Sequence, residues 1–214
     1  MRRRSVLAGF AALGAGCVGT PSADSTPTAN TTTTESGDPS TATARVSNVA
    51  ATSSPADADL AFDASLVDQY VATGDPAVLQ FSIHNTSDQR RAIFAGTVPP
   101  FGVPFASAVD DDEQFVLWHD YDSADGCVSF RDGEITYCDI GTVTTLAPDE
   151  RLTRRYQILS KTTTIHPRHT AYPEEGRYRV ADSLSFGSET DPEQSSLDYT
   201  ATFDIESTVD CDCA

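Results

Sequence analysis

A chain of 214 residues with 32 acidic and 14 basic side chains has a formal charge of -18, which repels phosphates and disfavours nucleic acid as a partner. The imbalance is selective, with 23 Asp to 9 Glu and 13 Arg to a single lysine, Lys161. Acidity alone does not remove lysine and spare arginine; this is the composition expected of a protein that works in concentrated salt, where ions screen its self-repulsion.

In chain order, Arg2, Arg3 and Arg4 precede an apolar run from Val6 to Ala15 that ends on Gly16 and Cys17. A charged start, a short apolar stretch and a small-residue exit form an export signal, shorter than the roughly 20 residues a permanent membrane helix needs. Arg3-Arg4 with Ser5-Val6-Leu7 resembles a twin-arginine signal, and Leu13-Gly14-Ala15-Gly16-Cys17 resembles a lipobox, whose cysteine is lipidated and becomes the new N-terminus. The expected layout is therefore a signal peptide at 1–16, a lipidated linker at 17–56 and a folded domain at 57–214. Cleavage after Gly16 leaves 11 basic residues against 32 acidic ones, or -21.

The linker is composed of Thr, Ser, Ala, Pro and Asp, with Thr31 to Thr34 in a row and hardly a large apolar side chain. Such a segment buries too little surface to offset the entropy of ordering, which predicts a disordered stalk. Asn30-Thr31-Thr32 and Asn85-Thr86-Ser87 are N-glycosylation sequons, making Asn30 and Asn85 candidate glycan sites.

From Leu60 the texture changes to short apolar runs divided by turn residues. Leu60 to Val71 reads as a first strand, and Thr73-Gly74-Asp75-Pro76 turns the chain. In the next run Val78, Gln80, Ser82 and His84 point one way while Leu79, Phe81 and Ile83 point the other. Asn85-Thr86-Ser87-Asp88 supplies turn chemistry, and Arg91 to Ala95 reads as the returning arm of a hairpin. The prolines of Val98-Pro99-Pro100-Phe101-Gly102-Val103-Pro104 exclude a central strand, so this stretch is a crossover loop with Phe101 as its plug. Strands are further predicted at 105–109, 114–119, 127–130, 134–140, 152–160, 177–186 and 199–206. Short strands at this spacing, with no convincing amphipathic helix, predict an all-β antiparallel sandwich.

Four cysteines besides Cys17 allow three pairings. Asp132-Gly133 is the signature of a two-residue hairpin loop, and with those residues at its tip Cys127 lies directly opposite Cys138. A disulfide is predicted there, leaving Cys211 and Cys213 near the chain end. Asp120, Asp122 and Asp125 place three carboxylates in one stretch, a conceivable calcium site, although the spacing misses the EF-hand pattern and a solvated loop is the simpler reading. Asp110-Asp111-Asp112-Glu113 reads as solvated as well. His166 and His169 flank Pro167, which works against both rings on one helical face. A blue-copper site is disfavoured because Met1 is the sole methionine and no histidine follows Cys211. Trp118 falls in an alternating run and reads as core. No Gly-x-Ser-x-Gly elbow occurs, so no catalytic residue and no cofactor are assigned.

Phe81 to Asp88, Leu146-Ala147-Pro148-Asp149-Glu150 and Glu175-Gly176-Arg177-Tyr178-Arg179-Val180 resemble the recurrent marks of immunoglobulin-like domains in prokaryotic surface lipoproteins. With the signal and the Thr-rich stretch, the chain is similar to surface lipoproteins of halophilic archaea. The resemblance implies an immunoglobulin-like β-sandwich in which Asn85 caps a turn, Asp149 takes a left-handed conformation and Tyr178 packs inside. It implies an extracytoplasmic protein held to the membrane by its N-terminal lipid, binding or structuring an envelope protein or polymer without catalysis. The alternative is an enzyme or proteinase inhibitor acting on surface polymers; no inhibitory loop carries over residue by residue.

Overall fold

Alternating burial in β4 (Ala77–Asn85) places Ala77, Leu79, Phe81, Ile83 and Asn85 on the core side, as the sequence pattern requires. The computed structural model describes residues 42–56, 58–72, 75–119, 121, 127–131, 134–158 and 173–208. They form antiparallel sheets packed as an all-β sandwich, with no α-helix among the described residues. One sheet orders β11 (Arg151–Ile158), β4 and β2 (Leu60–Asp68). The other runs β10 (Thr142–Leu146), β5 (Arg91–Ala95), β12 (Gly176–Ser188), β13 (Asp191–Ser207), β1 (Ala42–Ser54) and β3 (Tyr70–Ala72). β6 (Phe105–Ala108) also pairs with β12, and carries β7 (Gln114–Val116) on its other side. β8 (Val128–Arg131) and β9 (Glu134–Tyr137) form a separate hairpin.

The core between the two main sheets is knit by rings. Phe62 and Phe81 from one sheet and Tyr199 from the other surround Phe101, whose ring centre lies 5.7 to 5.8 Å from each. Phe101 is thus the plug expected of the proline-rich crossover. Tyr178 is buried, and its hydroxyl accepts the Glu174 N–H at 3.0 Å, with the carbonyl of Glu174 and the carboxylate of Glu113 within 3.2 Å as acceptors. A tyrosine bonded to backbone four residues upstream ties a strand to the corner it emerges from, as in immunoglobulin-like sandwiches. Burial, then the Glu113 charge, pushes the Tyr178 phenol up to about 12.

The expected hairpin of 78–84 with 91–95 does not form. β4 pairs with β2 and β11, whereas β5 pairs with β10 and β12, so the chain changes sheets between Asn85 and Arg91. The connection of β10 to β11 changes sheets beside it, through Ala147–Glu150 with Asp149 at φ 61°. Asn85 staples the two crossings. Its buried amide N–H2 donates to the carbonyls of Gln89, Leu146 and Ala147 at 2.7, 3.2 and 2.9 Å. Its Oδ1 accepts the Ser87 N–H and hydroxyl, closing an Asx turn.

The folded domain also starts earlier than the composition predicts. β1 lies within the stretch assigned to the linker and pairs with both β13 and β3. Its small side chains bury little, Val46 being the one fully buried position, so the strand is held mainly by its two backbone ladders. On the outer face Arg177 and then Asn48 bond Asp204, joining β12, β13 and β1 and holding that carboxyl below its ordinary range. The predicted first strand divides into β2 and β3, and β13 begins eight residues before Tyr199 because Asp191–Ser196 continue the ladder with β12.

Candidate binding cleft

β5 and β6 lie end to end along the same edge of β12, antiparallel to it. Phe94 faces Ser185 and Ser107 faces Arg179, so thirteen positions of chain are accommodated over six positions of β12. The excess leaves the sheet as the crossover loop, 96–104, and β12 has no ladder partner on that side between Val180 and Leu184 among the described residues. The loop is locked in four ways. Phe101 enters the main core, Val98 and Val103 pack on a satellite core of Val116, Trp118, Tyr121 and Val128, and the Gly102 N–H donates to the Val98 carbonyl at 2.9 Å. Arg154 Nε then donates to the Pro99 carbonyl at 3.0 Å. Val98 and Gly102 take φ of 64° and 65°, a conformation glycine accepts freely and a β-branched residue adopts only when its surroundings impose it.

The far wall is the root of the β8–β9 hairpin. Val128 faces Tyr137 and Arg131 faces Glu134, the register that an Asp132-Gly133 loop requires. Cys127 and Cys138 are joined by a disulfide with Cα atoms 4.9 Å apart, and the Cys138 N–H donates to the Cys127 carbonyl at 2.9 Å. The Thr97 hydroxyl donates to the Cys138 carbonyl at 2.8 Å, tying hairpin to loop.

Between these walls opens a cleft of about 380 Å³, lined by the loop, by Tyr137 to Ile140 and by Asp182. A second hollow of about 370 Å³ lies on the β6 side and shares Val103 and Asp182 with the first. Tyr137 and Ile140 are 64% and 53% exposed, a marked apolar exposure at a cleft mouth. Asp182 occupies an inward position of β12, between Val180 and Leu184 and opposite the buried Tyr199. Burial first, and then the Asp182 charge, raises the Tyr199 phenol above its ordinary range. Asp182 is exposed where β12 has no ladder partner among the described residues. Its Oδ1 accepts the Ser183 N–H at 2.8 Å.

The residues expected to carry function are distributed differently. Cys127 and Cys138 are bridged as predicted and form the cleft wall. Asn85 is corrected: it is fully buried with its amide committed to three carbonyls, so it is a structural staple and no glycan acceptor in the folded chain. Arg3, Arg4, Cys17, Asn30, Asp120, Asp122, Asp125, His166, His169, Cys211 and Cys213 lie outside the described residues. Among those described, no three His, Cys, Asp or Glu side chains are grouped to hold a metal. Trp118 is buried beside Tyr121, His84 meets Asp149 at 2.8 Å, and Asp110 to Glu113 form the exposed turn between β6 and β7. Tyr137, Asp139, Ile140 and Asp182 were not foreseen. A signal did exist for Asp182: it interrupts the inward series Tyr178, Val180, Leu184, Phe186 with a charge.

The profile of a family described as a domain of unknown function, DUF8130, matches residues 35–210. The chain belongs to this family. No curated protein and no solved structure matches the chain. The DUF8130 stretch takes in every strand from β1 to β13, and begins well inside the segment that composition assigned to the linker. Cleft and sandwich are therefore parts of one DUF8130 domain.

Proposed function

We propose that this DUF8130 protein is a lipid-anchored, extracytoplasmic surface protein of a salt-adapted cell, and that its sandwich is a non-enzymatic binding module of the envelope. The anchoring half rests on Arg3-Arg4 and the Gly16-Cys17 junction. The binding half rests on one observation, an apolar mouth of exposed Tyr137 and Ile140 held rigidly between a disulfide-closed hairpin and a locked loop. A preformed cleft with an exposed ring and a few polar groups suits recognition. Its one lining hydroxyl on the loop, Thr97, is engaged with the Cys138 carbonyl, which favours binding over nucleophilic catalysis.

Two variants test the halves separately. Cys17→Ser should move the protein from membrane to medium or leave it uncleaved; persistent lipidation would refute the anchor. In the soluble Cys17→Ser background, Tyr137→Ala should reduce co-sedimentation with purified envelope by about tenfold or more, the scale of an interface hot spot. Equal retention of both forms, or none of the parent, would refute the module.

A further inference from the structure

Resting on the binding-module reading, the cleft's chemistry narrows its ligand. By the register with β6, in which the Arg177 carbonyl accepts the Val109 N–H, every second residue of β12 directs its backbone groups to the open side. Ala181 and Ser183 are the two that meet neither β5 nor β6. Their carbonyl oxygens are hydrogen-bond acceptors without a strand partner among the described residues; Ala181 lines the second hollow, which adjoins the cleft at Val103 and Asp182. Beside them stands the Asp182 carboxylate, with Oδ1 engaged by Ser183 and its second oxygen uncommitted among the described residues. Asp139 adds another carboxylate to the lining, and neither it nor Asp182 has an ion-pair partner among the described residues. Among the described residues the 380 Å³ cleft carries no Lys, Arg or His in its lining; Arg179 lines the second hollow, on the other side of Asp182. The described lining is thus negative and rich in acceptors, with the exposed Tyr137 ring at its mouth.

We propose that this cleft receives an arginine side chain from an extended segment of a partner polypeptide. A guanidinium offers five N–H donors in a plane and no acceptor, matching a carboxylate beside two carbonyls. Its face stacks on aromatic rings, whereas an ammonium presents three donors from a compact, strongly hydrated charge. No three His, Cys, Asp or Glu side chains are grouped to hold a metal among the described residues, which favours an organic cation. An inward carboxylate also deters strand addition at an open edge. That role needs only Asp182, and accounts neither for Asp139 nor for the exposed Tyr137.

The test uses the full soluble chain, Cys17→Ser, and short blocked alanine peptides carrying one central arginine, lysine or citrulline, followed by backbone amide chemical shifts. The arginine peptide should shift Ala181, Asp182, Ser183, Tyr137 and Asp139 saturably. The lysine peptide should bind several-fold more weakly, and the neutral citrulline peptide at least tenfold more weakly. Asp182→Asn should weaken arginine binding tenfold or more at an unchanged melting temperature, because an amide oxygen still accepts the Ser183 N–H. Equal binding of arginine and citrulline, shifts elsewhere on the fold, or an Asp182→Asn variant that binds like its parent would each overturn the proposal. So would a neutral oligosaccharide that shifts these amides where the arginine peptide does not, an outcome that leaves the binding module standing. Loss of envelope retention alone, with arginine binding intact, would instead remove the module and spare the arginine site.

Discussion

Replacing Asn85 by alanine tests the account of how the two sheets are joined. The substitution removes three donated bonds and two accepted ones from a fully buried side chain. The Leu146 carbonyl is stranded out of reach of water, at about 1–3 kcal/mol, while the partly exposed Gln89 and Ala147 carbonyls lose about 1 kcal/mol each. The sum, about 3–5 kcal/mol, lowers the melting temperature by about 6 to 20 °C for a domain of this size. Asn85→Asp should be at least as damaging at neutral pH, since it sets a carboxylate against three carbonyl oxygens. Thr86→Ala, one residue on, removes only an exposed 3.3 Å hydroxyl bond to Ala58 and should stay within about 0.5 kcal/mol of the parent. Thermal melts and denaturant titrations in molar salt measure all three. An Asn85→Ala variant within about 1 kcal/mol of the parent would refute the staple, as would a glycan found on Asn85 of the folded protein by mass spectrometry.

Opening the Cys127–Cys138 bridge with Cys138→Ser should cost about 3 kcal/mol, the entropy of an 11-residue separation, and should speed amide exchange at Tyr137 to Ile140 first; exchange unchanged at the cleft wall would contradict its role there. Alkaline pH should unfold the domain. Burial raises the phenols of Tyr121, Tyr156 and Tyr199, and burial with Glu113 raises that of Tyr178, so the stability held by their neutral forms is complete below about pH 10 and lost as pH rises through about 12 and beyond. Phenolate absorbance and loss of β circular dichroism should appear together, and titration of all seven tyrosines near pH 10 in a folded protein would refute this. Lowering salt from molar to about 0.1 M lengthens screening from about 3 to about 10 Å and should destabilise a chain of -18; melts that are flat across that range would contradict the salt-adaptation argument.

Local chemistry made parts of this molecule readable in advance. Asp132-Gly133 is a sequence signal for a two-residue loop, and the register such a loop requires is the one observed from Arg131↔Glu134 to the bridged cysteines. The left-handed Asp149, the buried Tyr178 and the Phe101 plug likewise follow from a turn residue, a corner pattern and a proline-bound aromatic. What stayed hidden depends on distant partners. β1 has too few large side chains to announce itself, because β13 and β3 supply its ladders. Asn85 looks like any turn residue until Leu146 and Ala147 arrive beside it. The cleft exists because β5 and β6 meet β12 in registers that do not match, a relation no local pattern encodes.

The position of β1 has a mechanical consequence. On the proposed anchor at Cys17, a pull would reach the domain at Ala42 over 25 residues of chain that span at most about 90 Å. A partner of the proposed kind, held in the cleft, would pull instead on β12, two strands away across β13. Tension between them runs along the strands, perpendicular to the hydrogen bonds that join them. It therefore loads the nine paired positions of β1 with β13 together, in shear, where a peeling geometry would break them one after another. A strand built mostly from threonine, serine and alanine is well placed to carry that tension, since its resistance comes from backbone more than from packing.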